Sequence, residues 1–379
     1  TAAWPWPGHT MPAHIEDGAL VCTLTADQEE EHLLAVEQLD GETVQSLGRV
    51  SLYAVEADLF GRTPYKGDLH VHSNRSDGRE PPAHVAARCR QIGLDFVALT
   101  DHHQYAPSLE AIAAFAAAPI DLALYPGEEV HAPGNPIHIV NFGGRFSVND
   151  LFADRATYER EVAARQAQLP PLPPSLNPFM VASSEWVFAK IREAGGLSIF
   201  CHPYWFSNQS YAIPEALVDV LLERQPYDAL EVIGGYWPHE MWSNGLQVAR
   251  YYAEVARGRR IPIVGVSDAH GCHRGLFGWY YTLAFAPSAA LPDLTSSITD
   301  LYSVAVEDIP GEYPRAHGPF RLVKYAHFVL AELMPGHDAL CEPEGAAMLR
   351  LNDGDPRAVD DLAALRGQVA RYWAEVFAR

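Results

Sequence analysis

The stretch GDLHVHS, Gly67 to Ser73, with Ser76-Asp77-Gly78 just behind it, sets two histidines two residues apart on a short β-forming run. Side chains alternate along a strand, so His70 and His72 point to one face, and Asp68 shares it. A pair facing a core would be apolar. Two imidazoles facing the same way can grip one ion. Asp68 either orients such a ligand or caps a turn. Asp77, in a Ser-Asp-Gly setting, would alone read as a turn residue, but beside H-x-H it becomes a candidate ligand.

Working outward, the same chemistry recurs in TDHH (Thr100 to His103), GEE (Gly127 to Glu129), the lone His138, CHP (Cys201 to Pro203), LEV (Leu230 to Val232) and SDAH (Ser267 to His270). These segments fall about one strand–helix unit apart, nearly all at the ends of predicted strands. Asp95–Thr100 follows an amphipathic stretch from Pro82 to Gly93. Leu197–Cys201 follows a helix expected over Ser184–Ala194, with a Ser cap and a Gly-Gly stop. Ala229–Ile233 follows a helix over Pro214–Arg224, and Ile261–Val266 follows a long helical stretch from about Pro238 to Gly258. Short strands alternating with helices imply a parallel sheet, open or closed into a barrel. In barrels of this kind chemistry sits at the C-terminal ends of the strands. His138 is the exception, because it opens its strand.

Each segment offers a role. His102 is the ligand candidate of TDHH and Asp101 its supporting partner, while His103 faces solvent or substrate. Glu128 and Glu129 are neighbours, so one of them points inward, and a carboxylate there can bridge two ions. His202 ends an apolar strand. Glu231 stands where a strand core would want Val or Ile, and a buried acid needs a partner. Asp268 and His270 repeat the two-residue spacing of the first motif. Arg274 follows closely and is a candidate clamp for a substrate phosphate or carboxylate, with Arg75 and Arg79 behind it. Tyr204, Trp205, Tyr236 and Trp237 follow strand ends, where they line a pocket mouth or simply pack.

The rest of the chain frames this region. Residues 1–62 read as a small β-rich domain, with β-forming runs at Ala19–Thr25, His32–Leu39 and Val50–Phe60 and a turn signal at Asp40-Gly41; Glu29–Leu39 also fits a helix. Leu169–Pro178 is a Pro-rich crossing or a lid. Residues 63–286 carry the motifs, and 287–379 read as a mostly helical C-terminal extension whose last helix starts from Asp355 and Pro356. Among 379 residues, 27 basic side chains face 48 acidic ones, a formal charge of −21. That argues against nucleic acid and anionic membranes as partners and leaves a small-molecule substrate. Five widely spaced cysteines without C-x-x-C suit a reducing compartment. With no signal core in TAAWPWPGHT and no apolar run near ~20 residues, the expectation is a cytoplasmic protein.

Taken together, His70-Val71-His72 with Ser76-Asp77-Gly78, then TDHH, GEE, His138, CHP and SDAH resemble the motif series of the PHP superfamily, named for polymerase and histidinol phosphatase domains. The resemblance runs from about Tyr65 to Gly275. The entry PYKGDLHVHS, Pro64 to Ser73, after a β-rich domain is similar to the carbaryl-hydrolase-like branch. The resemblance implies an α/β fold, a distorted seven-stranded (β/α) TIM-like barrel binding two or three divalent ions such as Zn, Mn or Fe. It implies one ion held by His70, His72, Glu129 and Asp268, a second by Glu129, His138 and His202, and a third by Asp77, His102 and His270. Glu128 beside Glu129 and the doubled histidine at His103 depart from the family pattern, and the family register favours Glu129. The activity implied is hydrolysis, foremost of phosphoesters, with Glu129, Asp268, Glu231 and Arg274 as catalytic candidates. Carboxylic-ester or carbamate hydrolysis at the same centre is the alternative, and a non-catalytic metal-stabilised module is a third.

Overall fold

The computed structural model describes residues 10–377, apart from 41–42, 208, 236, 238–240 and 274–275. It divides into two compact units, Thr1–Phe60 and Gly61–Arg379. The first holds two antiparallel pairs, β1 (His14–Glu16) with β2 (Ala19–Val21) and β3 (Glu31–Asp40) with β4 (Thr43–Tyr53). The ambiguous run at Glu29–Leu39 is therefore a strand. The run expected over Val50–Phe60 stops at Tyr53, and Ala57–Phe60 turns helical.

In the second unit the strands are β5 (Thr63–Val71), β6 (Phe96–Leu99), β7 (Ala123–Tyr125), β8 (Gly127–His131), β9 (His138–Phe142), β10 (Leu197–Phe200), β11 (Phe206–Ser207), β12 (Ser210–Tyr211), β13 (Ala229–Ile233), β14 (Ile263–Gly265), β15 (Tyr280–Ala286), β16 (Ser303–Glu307) and β17 (Arg315–His317). They form a five-stranded sheet in the order β14-β13-β10-β9-β8, a six-stranded sheet in the order β17-β16-β15-β5-β6-β7, and the β11-β12 pair. Among the described residues no closed seven-stranded barrel forms. Instead two isolated backbone bridges, Val71 with Ala269 and His102 with Glu129, link the two sheets, and the Thr282 and Ser303 side chains bond to β14. The reason lies in β5. Its first half, Thr63 to Gly67, pairs antiparallel with β15, so only its far end is free to meet the other sheet. Gly67 is required where β5 lies parallel to β6, because a Cβ there would stand 2.2 Å from the Phe96 ring.

β9 runs antiparallel to both β8 and β10. Its first residue therefore lies at the edge where its neighbours end, which is why His138 opens a strand and still joins the other motifs. Between the sheets lie Leu69, Phe96, Val140, Phe142, Ile199 and Val264, all buried. This apolar floor holds the strand ends in place.

Two expectations change. The helix predicted from Ser184 begins at Pro178, capped by the Asn177 side chain, which accepts from Phe179 N at 3.0 Å. Ser184 lies inside it and bonds back to Met180 O. The stretch 287–379 is mostly helical, and its β16 and β17 extend the sheet beyond β15. Its final helix is two, Ala358–Leu365 and Gln368–Val376, parted by Gly367 at φ 75°. No helix among the described residues is long and apolar enough to cross a membrane.

Candidate metal centre

One fully buried carboxylate organises the strand ends. Six imidazoles close on Glu129 of β8. On Oε2 lie His70 Nε2 at 3.6 Å, His72 Nε2 at 3.7 Å, His131 Nε2 at 3.4 Å and, closest of all, His102 Nδ1. On Oε1 lie His138 Nδ1 at 2.8 Å and His202 Nε2 at 3.5 Å. Asp268 Oδ1 stands 3.2 Å from His70 Nε2 and 2.9 Å from His72 Nε2. Asp77 lies at the outer rim, 3.5 Å from His102 Nε2 and 3.2 Å from His270 Nε2. All nine residues singled out as metal ligands thus fall in one cluster, and two sets of ligand atoms, His70 with His72 and Glu129, and His72 with Asp77, His102 and His270, each lie within 4.8 Å of one another.

The donor set fits divalent ions of the zinc, manganese or iron kind. His70 Nε2, both ring nitrogens of His72, both oxygens of Glu129, His138 Nδ1 and Asp268 Oδ1 are buried and satisfied by no hydrogen bond. A natural interior rarely leaves so many polar atoms without a hydrogen bond, and cations would match the carboxylate oxygens and one nitrogen of each ring. Strain points the same way. His202 (φ 24°), Asp268 (φ 48°) and His103 (φ 59°) hold left-handed backbone, which costs of order 1–3 kcal/mol for such residues and collects at functional sites.

Charges in the cluster pull the titrations apart. Burial opposes ionisation of Glu129, yet His138, His70 and His102 hold it well below the ordinary carboxylate range. Asp268, despite its burial, is kept low by His70 and His72, and Asp77 by His102 and His270. Burial works against the His102 cation too, but Asp77 and Glu129 on either side lift it to about 10. Burial wins at His72 and His138, which fall to about 4.

A second tier of acids fixes this tier in place. Glu128, on the opposite face of β8 from Glu129, accepts from Asn141 Nδ2, Ser147 Oγ, Val148 N and Asn149 Nδ2 at 2.6–3.0 Å. It anchors the 147–149 loop. Asp101 accepts from the amides and hydroxyls of Ser73 and Ser76. It secures the loop carrying Asp77 and does not support His102 as expected. Asp68 accepts from His70 N and from the amide and hydroxyl of Ser267, which ties β5 to the Asp268 loop. Glu231 pairs with His70 Nδ1 at 3.1 Å and lies below the cluster, fully buried. It was expected among the catalytic residues; the structure places it against the ring of a ligand candidate and not in the lining of the cleft. Gly234 makes room for it, because a Cβ there would sit 2.7 Å from Glu231 Oε1.

Above the cluster opens a cleft of about 630 Å³, lined by Asp77, His102, His131, His138, His202, Asp268 and His270 together with Arg79, Trp205 and Trp237. Trp205 packs 5.2 Å from the His138 ring. Tyr204 turns away and donates to Glu215, so it packs. Tyr236 and Arg274 lie outside the described residues. Arg75 is committed to Glu110 through two bonds of 2.6 and 2.8 Å, which leaves Arg79 as the guanidinium of the cleft among the described residues. Leu172 and Leu176 bed into the core and residues 169–178 do not line the cleft, so that crossing is no lid here. His131 is the residue that sequence reasoning missed. Its signal was present: it follows Glu129 by two positions on one strand, the spacing of His70 and His72.

Residues 68–142 match the PHP domain family. A 64-residue segment is 38% identical to DNA polymerase/3'-5' exonuclease PolX of Bacillus subtilis (strain 168), which covers 17% of this chain and 11% of that protein. A solved two-domain protein containing a predicted PHP-like metal-dependent phosphoesterase from Bacteroides vulgatus ATCC 8482 is 18% identical, with a TM-score of 0.43 over 65% of each chain. An amidohydrolase from Chromobacterium violaceum with bound sulfate is 20% identical, with a TM-score of 0.32 over 54% of this chain and 87% of that one.

Proposed function

We propose that this chain is a divalent-metal-dependent hydrolase acting on a small phosphomonoester or phosphodiester. The observation that carries the proposal is the set of buried, unmatched nitrogen and oxygen donors around Glu129 at the floor of an open cleft. His70, His72, Glu129 and Asp268 would hold one ion, Glu129, His138 and His202 a second, and Asp77, His102 and His270 a third. Zn, Mn or Fe bound there supplies Lewis acidity toward phosphoryl oxygens and lowers the pKa of water toward neutrality.

The side chains around the cleft do the rest. Asp268 is partly exposed, so its carboxylate can orient water in the cleft by accepting a hydrogen bond. Arg79 brings a fixed positive charge to the rim, suited to a phosphate oxygen. Trp205 and Trp237 offer flat walls to an aryl or base group. The −21 charge disfavours a long phosphate backbone, so the substrate is small. Five free cysteines suit a reducing, cytoplasmic setting.

A second reading, carboxylic-ester or carbamate hydrolysis, draws on the same aromatic walls, which would serve a neutral aryl substrate equally well. The test is a panel of sugar, nucleotide and aryl phosphates run beside aryl acetates and aryl carbamates on metal-loaded protein. The expected result is phosphate release, with inorganic phosphate as a competitive inhibitor. Activity confined to the non-phosphorylated esters would overturn the phosphoester assignment and leave the metal centre standing.

A further inference from the structure

We propose that His131 is a positioning residue for the third metal position, fixing the tautomer and tilt of His102 by accepting a hydrogen bond from His102 Nδ1. The inference rests on the metal-centre reading above, and it is independent of the substrate.

The two nitrogens of His102 face different neighbours. Nε2 looks toward Asp77 at 3.5 Å, on the side shared with His270 and His72. Nδ1 looks toward His131 Nε2 at 3.0 Å and toward Glu129. An imidazole that offers a lone pair from Nε2 carries its proton on Nδ1, and that proton needs an acceptor. Glu129 Oε2 lies closer still to Nδ1, but His70, His72 and His131 converge on the same oxygen, and a carboxylate that would hold ions would spend its lone pairs on them. His131 Nε2 is the remaining neighbour at hydrogen-bond distance.

His131 is itself held firmly. It pairs across the ladder with His138, and the two rings stack with centroids 3.8 Å apart and planes 21° apart. The His103 ring closes from another side at 4.4 Å. One residue therefore leans on a ligand candidate of the second position and bonds to a ligand candidate of the third. Metal-bound histidines commonly rely on such an outer partner, and losing it typically costs 10–100-fold in metal affinity. In this chain the partner is an imidazole in place of the usual carboxylate or carbonyl, a choice that adds no further carboxylate to the cluster.

The test measures ions bound per chain across a series of chelator-buffered free zinc and manganese concentrations, for the wild type, His131→Ala, His131→Phe, His131→Gln and Asp77→Asn. The expected outcome is that His131→Ala and His131→Phe weaken one ion by about 10–100-fold and leave the others within a few-fold of wild type. His131→Gln, which restores an acceptor, should recover most of the loss. The double variant of His131→Ala with Asp77→Asn should lose no more than Asp77→Asn alone, because both act on the same ion. Equal weakening of all ions, or no recovery with Gln, would overturn the proposal.

Discussion

Two buried charged clusters lie in the same unit and look alike in composition. One surrounds Glu129. The other joins Arg90, Asp95, His337, Asp338 and Glu344 between the helix Pro82–Gln91 and the helix Met334–Asn352, and with Cys341 it too offers three metal-capable side chains. Their difference lies in satisfaction. Arg90 donates to Glu344 at 2.7 Å, to Leu94 O at 2.9 Å and to Asp95 at 3.1 Å. His337 meets Asp95 at 2.9 Å with one nitrogen and Asp338 at 2.8 Å with the other. Lys66 adds its amide to Asp95 and its ammonium to Asp338. Nearly every charge is matched inside the protein, so an ion would have to displace existing partners. Around Glu129 the donors converge and remain unmatched. A buried ionic cluster is a structural joint when its bonds close on themselves, and a binding centre when they do not.

The sharpest way to break this comparison is to neutralise one centre of each cluster. Glu129→Gln should abolish hydrolysis and remove metal from the cluster while the protein stays folded, because Gln keeps the shape and removes a buried charge. Elemental analysis beside circular dichroism checks it. Glu128→Gln should retain metal and destabilise the 147–149 loop, and the opposite pattern would mean that the roles of the two acids are reversed. Arg90→Ala should behave in the contrary sense, keeping metal while losing about 3–5 kcal/mol of stability, as broken buried pairs do; denaturant unfolding measures it.

Smaller effects refine the contrast. Glu231→Gln should lower metal affinity by about 10–100-fold through the freed His70 ring, read by competition with a chelator, with little change in the unfolding midpoint of the ion-free protein. Metal affinity should also rise with pH. His102 keeps its proton up to about 10, so at neutral pH an ion must displace it, and affinity gains about tenfold per pH unit for each proton displaced. Calorimetry in buffers of different ionisation enthalpy counts those protons.

The joint responds to pH through stability. The folded value of His337 is raised well above the ordinary range, because Asp95 and Asp338 outweigh the cost of its burial. Its contribution is complete below the unfolded histidine value, about 6.5, and fades as pH climbs through the folded value. Asp95 is depressed, since His337 and Arg90 outweigh its own burial. Its contribution holds above about 3.9 and fades in acid. Ion-free protein should therefore lose stability on both flanks of neutrality, and His337→Gln should flatten the alkaline flank.

Much of this was readable in the chain. The two-residue spacing of His70 and His72, the alternation that sends Glu128 and Glu129 to opposite faces, and the run of short strands and helices are local properties, set by the geometry of one strand or one helix turn. The same alternation pointed to His131, but a lone histidine after Glu-Val carries no motif of its own. Leu230-Glu231-Val232 showed that an acid was buried without showing that it would meet His70, 161 residues earlier in the chain.

By itself, then, the sequence determined which residue types stand at the strand ends, in what order, and on which face of each strand. Only the tertiary structure decided that six imidazoles share one carboxylate, that Glu231 meets the His70 ring and does not line the cleft, and that two isolated backbone bridges join the sheets at the strand ends. It alone brought Arg90 to Glu344 across 254 positions of sequence. The physical reason is one of range. Backbone geometry fixes side-chain direction over a few residues, whereas the choice of partner across the chain is made by the packing of whole elements, in which each buried polar group must find its match or be left to bind something else.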